Sequence, residues 1–171
     1  GVRFDAFTAT TTENQISPRV NVVWQPNDIL TAHAGYSRYF TPPPLTQVNN
    51  GAIAATTGTT AAPQVTLNDP VKAERAHYFD GGFEVRPLDG LTLGFDAYYK
   101  IAENLLDEGQ FGAPIFLTSF NYANAQVKGV ELSGSYEGGP WSVYGNLAWS
   151  EARGSGINSA QFNFAPNELA F

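Results

Sequence analysis

His33, His77, Glu74 and Asp80 are the residues of this chain best suited by type to metal or acid–base chemistry. A metal site announces itself by ligands at short, repeated spacing, such as two histidines one helical turn apart. No His-x-x-x-His occurs here, and the two histidines stand on segments separated by the long stretch 41–72, so the expectation is no metal site. Serine, histidine and aspartate are all present, yet no G-x-S-x-G elbow occurs to expose a nucleophile. Gly154-Ser155-Gly156 is too short to cradle a phosphate, and the chain has 0 cysteines, which removes thiolate ligands, thiol nucleophiles and disulfides together. No catalytic residue is assigned, the chain is not read as an enzyme, and no cofactor is implied. What remains is hydrogen bonding and charge pairing. Asn121, Tyr122 and Asn124 offer two amides and a phenol for a small polar ligand; the plainer reading is that they finish a strand end. Charges of both signs, such as Arg19, Asp96 and Lys100, are placed to pair across neighbouring strands.

These groups must be carried by something, and the composition says strands. The chain has 171 residues, with 13% aromatics, 17 glycines and 11 prolines, a mixture that favours strands and turns over helices. Only 15% of residues are charged and the formal net charge is −7, so a phosphate backbone would be repelled and nucleic acid is not an expected partner. No apolar run approaches the ~20 residues a membrane helix needs. The chain starts at Gly1, has no Met and stops at Phe171, which reads as a processed or partial chain.

Eight strand-like segments follow from the pattern: 1–9, 17–25, 29–40, 73–86, 91–102, 120–136, 141–151 and one beginning near 160. Period-two alternation is clearest in LTLGFDAYYKI (91–101), where Leu91, Leu93, Phe95, Ala97, Tyr99 and Ile101 alternate with small or polar residues. Residues 141–151 set Trp141, Val143, Leu147 and Trp149 against Ser142, Tyr144, Asn146 and Ser150. In 73–86, Asp80-Gly81 offers a rival reading as a hairpin turn between two short arms; one long strand is preferred.

The connections sort by length. Pro26-Asn27-Asp28, Pro87-Leu88-Asp89-Gly90 and Gly138-Gly139-Pro140 are tight and carry turn chemistry, whereas about 10–16, 41–72, 103–119 and 152–159 are longer. Short and long alternate, as in an up-and-down meander with all tight turns at one end, and outer-membrane barrels have that asymmetry. Segments of this length also suit a barrel strand, which needs ~9–11 residues to cross a bilayer. An extended chain can cross lipid only with every amide paired, hence only as part of a closed barrel. The expected fold is therefore an all-β, antiparallel, up-and-down transmembrane β-barrel. Leu93, Phe95, Val143 and Leu147 would face lipid and their polar neighbours a wet lumen. Trp24, Trp141 and Trp149 would form the membrane girdle, the first two at one interface and the third near the other.

Several stretches resemble the C-terminal barrel region of TonB-dependent outer-membrane receptors. They are ISPRVNVVWQP (16–26), ILTAHAGYSRYFTPP (29–43), AERAHYFDGGFEV (73–85), LTLGFDAYYKIAENLL (91–106), NAQVKGVELSGSY (124–136) and FNFAPNELAF (162–171), in the family's usual order, with Lys128-Gly129-Val130-Glu131 the most specific piece. The resemblance implies a 22-stranded barrel with a plugged lumen, of which this chain would supply about eight strands. Residues 1–171 would be a partial barrel domain lacking a plug or TonB-box segment, with 41–72 as a long surface loop that helps capture ligand. It also implies a bacterial outer-membrane location, contact with outer-membrane lipid, and a TonB energy-transducing complex acting through a plug outside this chain. The cargo would be a scarce small-molecule nutrient such as a siderophore, cobalamin or an oligosaccharide. Asn121, Tyr122 and Asn124 would then sit near the extracellular mouth, within reach of a sugar or siderophore. Two other functions fit the pattern alone: a small eight-stranded barrel acting as a passive pore or anchor, and a soluble all-β binding or adhesive module whose apolar face is a sandwich core.

Overall fold

A computed structural model of the chain describes residues 1–9, 11–44, 65–66, 70–111, 116–160 and 162–163. Its strands are β1 (Val2–Thr8), β2 (Thr12–Trp24), β3 (Leu30–Thr41), β4 (Val65–Thr66), β5 (Glu74–Leu88), β6 (Leu91–Phe111), β7 (Phe116–Gly138), β8 (Trp141–Ala160) and β9 (Phe162–Asn163). Seven of them form one sheet in the order β1-β2-β3-β5-β6-β7-β8, while β4 pairs with β9 in a separate two-stranded sheet. Every pairing is antiparallel, so the large sheet is a meander in which each strand lies beside its successor in the chain, β4 aside.

β5 runs unbroken for 15 residues through Asp80-Gly81, because both its neighbours pair continuously with it there: Gly35 meets Asp80, and Asp80 meets Tyr98. A hairpin at that point would strip the ladder from β3 and β6 together. The tight connections at 25–29, 89–90 and 139–140 all lie at one end of the sheet. In the first, Asn27 Oδ1 accepts from the amides of Ile29 (3.0 Å) and Leu30 (2.9 Å) and so turns the chain back. Gly90 (φ 78°) and Gly139 (φ 56°) take left-handed positions in the other two.

The strands are longer at the opposite end than their alternation indicates. β6, β7 and β8 have 21, 23 and 20 residues, so most of 103–119 and all of 152–159 are strand, and β2 begins at Thr12, inside the stretch 10–16. The physical reason is local. Asn104 takes φ 54°, Gly156 takes φ 68°, and the β7–β8 register slips between Asn121 and Tyr122. Each irregularity breaks the two-residue period without ending the ladder. In the stretch 41–72, residues 45–64 and 67–69 lie outside the described residues, as does most of the segment expected near 160 beyond Phe162–Asn163.

Among the described residues burial gathers towards the long-loop end. Ala76, Ala102 and Ala125 are cross-strand neighbours on β5, β6 and β7 and form a small core with Leu105 packed against it. Val71, Ala73, Phe40 and Phe120 are also buried. Over the rest of the sheet the described residues form a single layer.

Candidate functional site

The two faces of the sheet are chemically distinct. One register row runs Trp24, Ala32, Phe83, Phe95, Leu132, Leu147 across six strands, and the next runs Val22, Ala34, Gly81, Ala97, Val130, Trp149. No polar side chain interrupts either. Leu93 (43% exposed), Val143 (58%) and Leu147 (70%) stand open, and Phe95 is half-buried with its ring 5.6 Å from that of Phe83 in the same face. Among the described residues no second layer covers them.

The apolar band is slanted. Trp24 shares its row with Leu147, whereas Trp141 lies six residues before Leu147 on β8, five strand steps away. A drop of six residues at ~3.4 Å each over five spacings of ~4.8 Å is a slope of about 40°. Membrane barrels tilt their strands by about 35–45°. At that tilt Trp24 and Trp141 lie on one level. The far edge also rises from β8 towards β2, but unevenly: on this face the first charged side chain is Glu151 on β8, Lys128 in the same row on β7 and Glu103 two rows on along β6, Arg38 interrupts β3 one row on, and β2 remains apolar as far as Ile16. Between Trp141 and Trp149 the band is about 21 Å tall along the tilted axis.

The opposite face is polar. His33 Nε2 lies 3.2 Å from Asp96 Oδ1 and 4.0 Å from Asp80 Oδ2. Lys100 Nζ lies 2.5 Å from Glu74 Oε1, and Arg19 stacks its guanidinium 5.2 Å over the Tyr39 ring instead of pairing with an acid. On β1 and β2, Ser17 Oγ donates to Asp5 Oδ2 (2.8 Å), and the buried Gln15 amide donates to Ser17 Oγ and to the Tyr39 carbonyl (2.9 Å). His77, by contrast, is on the apolar face beside Tyr36, so the four residues weighed for a metal do not converge. Among the described residues no group of three such side chains is arranged for one.

At the long-loop end the three residues considered for ligand contact separate. Asn121 is completely buried and its amide is fully engaged: Oδ1 accepts from the Lys72 amide (2.7 Å), and Nδ2 donates to the Lys72 (3.0 Å) and Asn104 (2.8 Å) carbonyls. It clasps the chain at 70–73 to the β6–β7 hairpin, and Glu13 Oε1 holds the same segment through the Ala73 amide at 2.8 Å. Tyr122 points the other way, its ring edge-on to Phe120 at 5.2 Å. Burial, helped by the Asp107 carboxylate, pushes its phenol pKa up and keeps it a neutral donor. Asn124 is exposed. The Asn121–Lys72 clasp spans 49 residues and left no local signal in the sequence.

Comparison with known proteins bears on this geometry. Residues 1–170 match the sequence model of the family described as TonB dependent receptor-like, beta-barrel. A search of curated proteins gives no match. Among solved structures, the FrpB iron transporter from Neisseria meningitidis (F3-3 variant) superposes with a TM-score of 0.61 at 19% identity, over 94% of this chain and 22% of that one. The copper transporter OprC gives 0.64 at 18% identity, over 85% and 22% of the two chains. The alcaligin outer membrane receptor FauA from Bordetella pertussis gives 0.50 at 18%, over 86% and 24%. The chain thus spans less than a quarter of the length of these proteins, and its sheet is an open part of a barrel of their kind.

Proposed function

The chain belongs to the TonB-dependent receptor β-barrel family, and on that premise we propose that it forms part of the wall of a receptor that imports a scarce nutrient across the bacterial outer membrane. The observation that carries this reading is the uncovered, slanted apolar band with tryptophans on one level at its lower edge. An exposed apolar surface of that extent is intolerable in water and suits acyl chains. In this reading Leu93, Phe95, Val143 and Leu147 touch lipid, and Trp24, Trp141 and Trp149 sit at the headgroup borders. The face bearing His33, Asp80, Asp96, Lys100 and Glu131 lines the lumen.

Capture of a small-molecule ligand falls to the long-loop end, where Tyr122 presents its phenol while Asn121 braces the rim; Asn124, opposite Glu103, is on the outer side of the wall. Energy for import would come from the TonB complex, acting through a plug. FrpB and OprC are described as iron and copper transporters, which supports import of a metal or metal chelate as the substrate class.

The segment contains 0 cysteines, so labels can be placed singly within it. In the full-length receptor, an environment-sensitive dye on Leu147→Cys should show a blue-shifted emission quenched by acyl-chain quenchers. The dye on Asn146→Cys should respond only to water-soluble quenchers. Reversed quenching at the two positions would invert the faces and end the transport reading. Uptake is tested separately: deletion of the receptor should abolish TonB-dependent growth on a limiting iron or copper source.

A further inference from the structure

The far edge of the apolar band has a cationic notch. Of the six arginines, Arg3, Arg75, Arg86 and Arg153 each hold a carboxylate and Arg19 lies over an aromatic ring. Among the described residues Arg38 has neither; it is half-buried, and its Nε is covered by protein with no hydrogen-bond partner there. It stands on the apolar face of β3, across from His77 on β5, which in turn meets Ile101 on β6. His77 Nδ1 is 2.9 Å from the Tyr36 hydroxyl, and the two rings stack at 5.9 Å. In the tautomer in which the phenol donates to Nδ1, His77 Nε2 carries the ring hydrogen and offers a second donor on the row of the guanidinium.

Depth makes this arrangement unusual. Arg38 is one row beyond the row that holds Glu151 on β8, but the 40° slant lifts the edge by more than two rows by the time it reaches β3. Arg38 therefore lies about 7 Å on the oily side of that edge, with Phe79 on the row below and Ile101 on its own row. A charge held there unpaired is costly, and a long side chain lowers the cost by reaching an anion at the headgroup level. On this face Glu103 sits one row further on, opposite Arg75, whose guanidinium holds Glu13.

We propose that Arg38 and His77, held by Tyr36, form a binding site for the phosphate of an outer-leaflet lipid whose acyl chains lie on Phe79 and Ile101. The apolar flanks favour a lipid over free phosphate: the occupant has to be anionic at one end and oily at the other. The site rests on the orientation proposed above, and the test separates the two.

The full-length receptor, purified in detergent and stripped of lipid, would be titrated with a bis-phosphorylated glucosamine-disaccharide lipid and with its dephosphorylated form, and retention read by native mass spectrometry. Wild type should retain the phosphorylated lipid about tenfold better than Arg38→Gln, Arg38→Lys should recover part of that loss, and the dephosphorylated lipid should bind wild type no better than Arg38→Gln does. Equal retention by wild type and Arg38→Gln overturns the site, as does indifference to the phosphates or displacement by millimolar inorganic phosphate, which would mark a free-anion site. Should Arg38→Gln fail to assemble, wild type and His77→Gln compared on the two lipids decide by the same criteria. Correct dye quenching at Leu147 and Asn146 with no phosphate preference would leave the orientation standing and remove only this proposal.

Discussion

The short-turn half of the sheet and its long-loop half are built from the same ladder, yet they are held by different forces. Near the tight turns, neighbouring side chains alternate between Phe95 or Leu132 on one face and Asp96 or Glu131 on the other, and in the proposed orientation each residue is placed by the medium it faces. Beyond Asn104 the alternation stops. There the chain is tied residue by residue: Asn121 to Lys72 and Asn104, Glu13 to Ala73 and Arg75, Glu74 to Lys100 and the Leu106 amide. The first half is specified by a difference between two solvents, the second by particular bonds. A substitution in one should therefore fail for a different reason than a substitution in the other.

The sharpest way to break this contrast is to exchange the media. Phe95 lies about 9 Å in from the tryptophan level, close to mid-band. Phe95→Arg is expected to destabilise the assembled receptor by ~2–4 kcal/mol, measured by reversible denaturant unfolding in lipid vesicles. Asn146→Arg, on the opposite face, should cost much less; equal tolerance would erase the difference between the faces. In the other half, Asn121→Ala strands buried backbone groups at Lys72 and Asn104 and should cost about 1–3 kcal/mol. Its signature is local, with faster amide exchange at Lys72 and little change in β8 between Trp141 and Trp149; protection lost evenly throughout would argue against two separately held halves.

The smallest effect is expected at the boundary. Hydrogen bonds from Lys128 and then Arg153 hold the Glu151 carboxyl below its ordinary range. A depressed folded-state pKa means stabilisation that is present above the ordinary glutamate value of about 4.3 and is lost as pH falls through the lower folded value. Wild type should exceed Glu151→Gln slightly at neutral pH, and the two should converge in acid. Since the side chain is solvent-accessible, added salt should shrink the gap as well.

The same contrast explains what the sequence could disclose. Strand positions, tight turns and the apolar and polar faces were legible wherever side-chain chemistry differs across the sheet, as in 91–101 and 141–149, because that difference writes itself as a period of two. The extensions of β6, β7 and β8 were not legible, since Asn104 and Gly156 shift the phase while the hydrogen bonds continue. The clasp at Asn121 was invisible because its partner is main chain 49 residues away. Arg38 was in plain view as the residue that ends the run Leu30, Ala32, Ala34, Tyr36, but only inter-strand register reveals that it faces His77 on β5, with Ile101 next along the row.

The slope shared by Trp24 and Trp141 means that a rung of hydrogen-bonded partners is not a contour of depth. In the proposed orientation, the rung that puts Trp24 at the headgroup border reaches Leu147 about 16 Å further across the bilayer. Probes placed along one rung would thus report a steady passage from interface through hydrocarbon towards the far leaflet, climbing the wall like a spiral stair.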